Sequence, residues 1–284
     1  MKLFYSISLL FPVFFTACFA QQNSLSMLTT GPENGSLIVA GGGRLPDEIL
    51  LKFIELAGGQ NARIVVVPTA GGQEEYDQSA CDFLSRFGIG TISMLHTTDP
   101  KIADSAAFVE PLKDATGVWF RGGRQWRLVD AYAGTKTEQM FWKVLERGGV
   151  IGGTSAGATI QGSYLARGDT KSNQIMMGDH EAGFGFIKNV AIDQHVLARN
   201  RQFDLYEIVR SKPELLGIGV DEGTALLVNG DQFEVIGDSY VLVYDGQFYS
   251  REGFDQKKLP AADSLFYFLK KGEKYNMRTR KVIE

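Results

Sequence analysis

The chain has 284 residues, 44% of them apolar and 11% aromatic, enough to bury the core of one large domain or two small ones. Its 29 Lys and Arg stand against 33 Asp and Glu, and the resulting net charge of −4 offers no basic excess to meet a phosphate backbone, so a nucleic-acid partner is not expected. Two cysteines and three histidines exclude a disulfide scaffold and form no cluster with zinc spacing, so no metal or other cofactor is expected.

Lys2, the apolar residues 3–15 and the small residues leading to Ala20 read as a secretory signal peptide cleaved after Ala20. The apolar run is short for a bilayer span, so no integral membrane segment is expected. Phe15-Thr16-Ala17-Cys18 loosely resembles a lipobox, which would place a lipid on Cys18. Phe15 fits that pattern poorly, and export to the periplasm or the exterior is the favoured expectation. Cleavage after Ala20 would leave Cys81 alone, without an intramolecular disulfide. Residues 21–35 are polar and read as a linker, and residues 36–284 as one catalytic domain.

From residue 36 short apolar runs alternate with helical patterns. Strands are expected at 36–40, 63–67, 91–95 and 117–120, and Val150-Ile151 begins another. Helices are expected at 47–57, stopped by Gly58-Gly59, at 74–87, and across 125–147 with a break near Gly134. Strands apolar along their whole length, interleaved with helices, predict a mainly parallel sheet covered on both faces. About five such units are too few for an eight-fold barrel. After residue 215 the pattern changes to strands at 216–220, 225–228, 233–236 and 240–244, separated by Gly, Asn and Asp turn signals. These predict an antiparallel β-rich extension.

The motif richest in chemistry is Gly153-Thr154-Ser155-Ala156-Gly157, a G-x-S-x-G element between a strand and a small-residue helix start. Ser155 there would be a nucleophile on a tight turn. A serine hydroxyl needs a base, and the candidates are His96, His180 and His195. His195 ends the apolar run 190–192 and the polar Asp193-Gln194, the strand edge where open α/β sheets place their sites, and is favoured. The base needs an orienting acid. Asp221 and Glu222 end another strand and face opposite ways, so at most one can address it. Backbone N–H groups at Gly122-Gly123, with that of Ala156, are candidates for an oxyanion hole.

Four blocks occur in order: Phe120-Arg121-Gly122-Gly123-Arg124-Gln125, then Gly152-Gly153-Thr154-Ser155-Ala156-Gly157-Ala158, then Asp193-Gln194-His195, then residues 217–225 running from Gly217-Ile218-Gly219 through Asp221-Glu222 to Thr224-Ala225. Together they resemble the cyanophycinase-like serine peptidases, relatives of the bacterial aspartyl dipeptidases. The resemblance implies a three-layer α/β/α fold akin to class I glutamine amidotransferases, with serine replacing their cysteine. It implies a Ser155–His195–Glu222 triad, an oxyanion hole at Gly123 and Ala156, and substrate contacts from Gln125, Asp193, Gln194, Arg199 and Arg201. Arg199 and Arg201 match two of three arginines that help hold a β-aspartyl-arginine unit in cyanophycinases. The third position is Asp204 here, and Arg124 also departs from the pattern. The expected activity is hydrolysis of a peptide or isopeptide bond through an acyl-enzyme, on cyanophycin-like or other aspartyl peptides. The alternative is a binding protein that keeps the fold without turnover. A partner-dependent amidotransferase would need a second domain that the chain is too short to hold. Monomer and homodimer are both open.

Overall fold

The computed structural model describes residues 28–253 and 259–284. The expected signal peptide, the alternative lipid site at Cys18 and most of the expected linker lie outside them. In chain order the elements are β1 (Ser36–Ala40), α1 (Asp47–Leu56), β2 (Arg63–Val67), α2 (Asp82–Ser85), β3 (Thr91–Met94), α3 (Pro100–Ala103), α4 (Glu110–Lys113), β4 (Gly117–Phe120), α5 (Trp126–Tyr132), α6 (Lys136–Glu146), β5 (Val150–Thr154) and α7 (Ala156–Thr159). Then follow β6 (Gly162–Tyr164), β7 (Ile187–Gln194), α8 (Leu205–Ser211), β8 (Leu216–Val220), β9 (Thr224–Asn229), β10 (Gln232–Gly237), β11 (Tyr240–Tyr244), β12 (Tyr267–Lys270), β13 (Lys274–Asn276) and β14 (Lys281–Ile283).

The expected mixed α/β fold is present. A nine-stranded sheet has the order β14-β13-β10-β9-β1-β5-β4-β2-β3, in which β1, β5, β4, β2 and β3 are parallel. The remaining four join antiparallel, as the turn signals after residue 215 predict. Apolar side chains alternate between two cores. Ile38, Ile64, Val66 and Trp119 pack under α1 with Phe53, whose ring meets Trp119 edge-on at 4.9 Å. Leu37, Val39, Val65, Val118 and Phe120 face the other side, with Phe141 of α6. Fully burying a side chain such as Phe53 contributes about 1.5–3 kcal/mol.

That second side carries a layer the sequence did not announce. A five-stranded sheet of order β12-β11-β8-β7-β6 pairs β6, β7 and β8 in parallel and β11 and β12 antiparallel. Although β8 and β9 adjoin in sequence, they make no hairpin. β8 lies beside β7 in the smaller sheet and β9 beside β1 in the larger, so residues 221–223 cross between sheets. A strand as short and uniformly apolar as β8 carries too little pattern to name its partner.

One further expectation is corrected. The helix expected over 74–87 is confined to a 3-10 turn at Gln78–Cys81 and the short α2. His96 Nε2 lies 3.1 Å from the carbonyls of both Gln73 and Glu74, and these bonds from a distant strand end hold that segment out of a helix. The end of the expected linker is docked: Thr29 is buried with its hydroxyl on the Asn189 carbonyl, and Thr30 bridges Lys188. Cys81 is buried and free, and burial pushes its thiol pKa up. No helix among the described residues is long and apolar enough to cross a membrane.

Candidate active site

Ser155 joins β5 to α7 with φ 55° and ψ −112°, a backbone state costly for any residue with a side chain. The flanking glycines make it attainable. A Cβ on Gly153 would overlap the Gly157 carbonyl, and one on Gly157 would overlap that of Phe120 on the neighbouring strand. The turn is pinned by the Ser155 N–H, which donates to the Ala40 carbonyl at 2.9 Å.

His195 follows β7, at the corresponding edge of the smaller sheet, and also has positive φ (56°). Its Nε2 is 2.9 Å from Ser155 Oγ and its Nδ1 is 2.5 Å from Glu222 Oε1. A carboxylate can only accept, so Nδ1 carries the proton and Nε2 is free to accept from the serine hydroxyl. The imidazole is 6% exposed, and burial lowers its pKa. The hydrogen bond to Glu222 opposes that shift, and the positive charges of Arg199 and Arg201 reinforce it. Glu222 lies on the crossover between the sheets. Asp221 faces the other way. Its Oδ1 accepts from the N–H groups of Leu197 and Ala198, each at 2.9 Å, and its Oδ2 from the Ser239 hydroxyl at 2.6 Å. It therefore caps the turn that follows His195, and Glu222 addresses the ring.

Sequence reading passed over the segment that holds these parts together, residues 40–43. Besides the Ala40 carbonyl on Ser155, the Gly41 carbonyl accepts from His195 N–H at 3.1 Å and the Gly42 carbonyl from Gly223 N–H at 3.0 Å. Gly42 has φ 121°, and a Cβ there would overlap the His195 ring; one on Gly43 would overlap the Glu222 carboxylate. The signal was present as three consecutive glycines ending a buried strand, a pattern of close backbone approach.

Gly122 and Gly123 leave β4 beside the nucleophile: a Cβ on Gly122 would be 3.3 Å from Ser155 Cβ. Ala156 is the first residue of α7, so its N–H has no acceptor within the helix. Of the residues expected to touch substrate, Arg199 is exposed. Arg201 is 5% exposed without a carboxylate partner among the described residues, and meets only Gln194 oxygens at 3.4 and 3.5 Å. Burial lowers the Arg201 pKa, and the charge of Arg167 adds to this.

Asp193 and Gln125 make hydrogen bonds within the protein. Asp193 is wholly buried and gripped by both Nε and Nη2 of Arg167, at 2.7 and 2.9 Å. Gln125 Nε2 donates to the carbonyls of Ala166 and Arg167 at 2.6 and 3.0 Å. Both side chains are engaged by neighbouring groups of the protein. Arg167, which no local pattern in the chain singles out, is 0% exposed and also reaches Asp204 at 2.5 Å. Burial opposes its charge, but the two carboxylates outweigh it and hold its pKa above the ordinary arginine range. The charge reversal at Asp204 is thus answered by a buried guanidinium. His96 and His180 stand apart from these contacts, His96 on Thr69 at 2.8 Å and His180 between Asp130 and Asp179.

Residues 37–236 match the model of peptidase family S51. A cyanophycinase of Geminocystis herdmanii is 31% identical over 245 residues, covering 82% of this chain and 89% of the relative. A cyanophycinase of Synechococcus elongatus is 28% identical over 244 residues, covering 83% and 76%. Among solved structures, a peptidase from an acI-B1 Actinobacterium superposes with a TM-score of 0.62 at 26% identity, covering 87% of this chain and 98% of that one.

Proposed function

The chain belongs to peptidase family S51, and from that premise we propose that it hydrolyses an aspartyl peptide or isopeptide bond through an acyl-enzyme on Ser155. The observation that carries the reading is the hydrogen-bonded chain from Ser155 Oγ through His195 to Glu222, at 2.9 and 2.5 Å. His195 Nε2 takes the serine proton as Oγ attacks the carbonyl carbon, then gives it to the leaving amine. Glu222 holds the tautomer and stabilises the imidazolium that forms in between. The N–H groups of Gly123 and Ala156 receive the oxyanion. Water then repeats the cycle against the ester, releasing the acid and restoring the serine.

Arg201 supports an acidic substrate group next to the scissile bond, since a buried guanidinium without a carboxylate of its own is a ready partner for one. The relatives named cyanophycinase support a β-aspartyl unit there. The N-terminal sequence supports action outside the cytoplasm.

The test pairs a serine-directed fluorophosphonate with a panel of α- and β-aspartyl peptides. Labelling confined to Ser155 and hydrolysis of the aspartyl members are expected, and Arg201→Ala should raise KM more than it lowers kcat. A chain that neither labels nor hydrolyses, with its fold intact, is a binding protein instead.

A further inference from the structure

A cleft of about 370 Å³ opens beside Ser155, and none of the roles above uses it. Gly43 and Arg44 beyond β1, Arg121 beyond β4 and Thr154 at the end of β5 contribute to its wall. Gly43 packs on the Glu222 carboxylate, Arg121 adjoins Gly122 against Ser155, and Thr154 precedes the nucleophile, so the cleft adjoins the catalytic residues, none of which lines it. Arg199 and Arg201 do not line it; they reach the site from the turn after β7.

Its charge is one-sided. Arg86 on the rim is tied to Asp47 at 2.5 Å. The side chains of Arg44 and Arg121 make no hydrogen bond or ion pair among the described residues; the Arg121 guanidinium lies 5.8 Å from the centre of the Phe83 ring. No carboxylate lines the cleft, and Phe83, Leu45 and Leu50 give it an apolar side. Such a cleft suits a residue with methylenes to lie on Phe83 and a carboxylate to reach the two free guanidiniums. A guanidinium or ammonium entering it would meet the like charges of Arg44 and Arg121, which no carboxylate of the lining neutralises.

We propose that this cleft is a second substrate subsite, selecting a carboxylate-bearing residue near the scissile bond and rejecting a cationic one. The inference rests on the peptidase reading above and narrows it. Polymers that carry arginine side arms suit this subsite poorly, and acidic peptides suit it well.

The experiment uses internally quenched peptides that share one aspartyl scissile bond and differ only in Glu, Gln or Lys at each flanking position in turn. The Gln peptide is the reference within each protein, so only ratios of kcat/KM are compared. In the native chain one position should favour Glu over Lys by roughly 10–100-fold, the size of one or two partly exposed charge-assisted contacts. At that position R44Q/R121Q should bring the ratio to within about threefold, and R121K should keep most of it, because charge and not shape is being read. A native chain without preference, or a preference unchanged in R44Q/R121Q, overturns the subsite while leaving the peptidase reading standing. Failure to cleave any peptide, with Ser155 unlabelled by fluorophosphonate, overturns both.

Discussion

In the nine-stranded sheet the reactive residue is aimed by the main chain. Ser155 sits at φ 55° between glycines whose missing side chains let strand, turn and helix close on one another. In the five-stranded sheet aiming falls largely to charged side chains. His195 is fixed by Glu222, its turn is capped by Asp221, and the strand before it is locked by Arg167 on Asp193. A backbone device is local and tolerates almost nothing larger than hydrogen. A charge device is spread over residues far apart in sequence and tolerates exchange when partners change together. Residues 40–43 join the two, since their carbonyls hold Ser155, His195 and Gly223 at once.

The comparison breaks most visibly at the nucleophile. Ser155→Ala should lower kcat by roughly 10⁴-fold or more, because triad members act as a unit, with little change in melting temperature. A variant turning over near the native rate would remove Ser155 from the chemistry. Gly42→Ala tests the joining segment. Its methyl group enters the His195 ring position, and activity should fall on the order of 10²-fold or more through misplacement of the base. Native kcat in that variant would mean the three glycines are a turn and nothing else.

The two acids of the crossover should separate by kind of effect. Glu222→Gln should cost on the order of 10²-fold in kcat or more. Asp221→Asn should cost less in kcat but about 1–3 kcal/mol in stability, as the charged acceptor of three bonds is lost. Denaturant unfolding beside steady-state kinetics reads both, and the opposite ranking would make Asp221 the orienting acid. The smallest effect is on pH. His195 acts as a base when neutral, and burial holds its pKa below the ordinary histidine range, so activity should persist below that range and fail only as pH drops through the lowered value. Arg199→Gln removes one of the charges that depress it, so the acid limb of kcat/KM should move to higher pH. A limb that stays put or moves lower would show that Arg199 does not act on the ring.

Most strands, the break at Gly134 and the serine turn were legible because each is written in a few adjacent residues. The second sheet was not. Whether residues 216–220 pair with 224–229 or with 187–194 depends on long-range packing, and 216–220, with no polar side chain, carries no mark of its partner. The start of the helix expected over 74–87 is absent for a similar reason, the Gln73 and Glu74 carbonyls being taken by His96 beyond the end of β3. Arg167 carried no local signal, and Asp193 looked available because its partner lies 26 residues away. Between Asp221 and Glu222, alternation alone gave opposite faces, and the crossover decided which face meets the base.

The Arg167–Asp204 contact bears on how such a pocket can change over evolutionary time. Replacing Asp204 by arginine alone, to restore the three-arginine pattern, would bring a second guanidinium to one already buried. Replacing Arg167 alone would strand Asp193 without a counter-ion, and stranding a buried charge costs about 3–5 kcal/mol. Neither single step is neutral, so the two positions form an epistatic pair. A lineage reaches one arrangement or the other by a paired change or through a stabilised background, and ancestral reconstructions of this family should show residues 167 and 204 changing on the same branches.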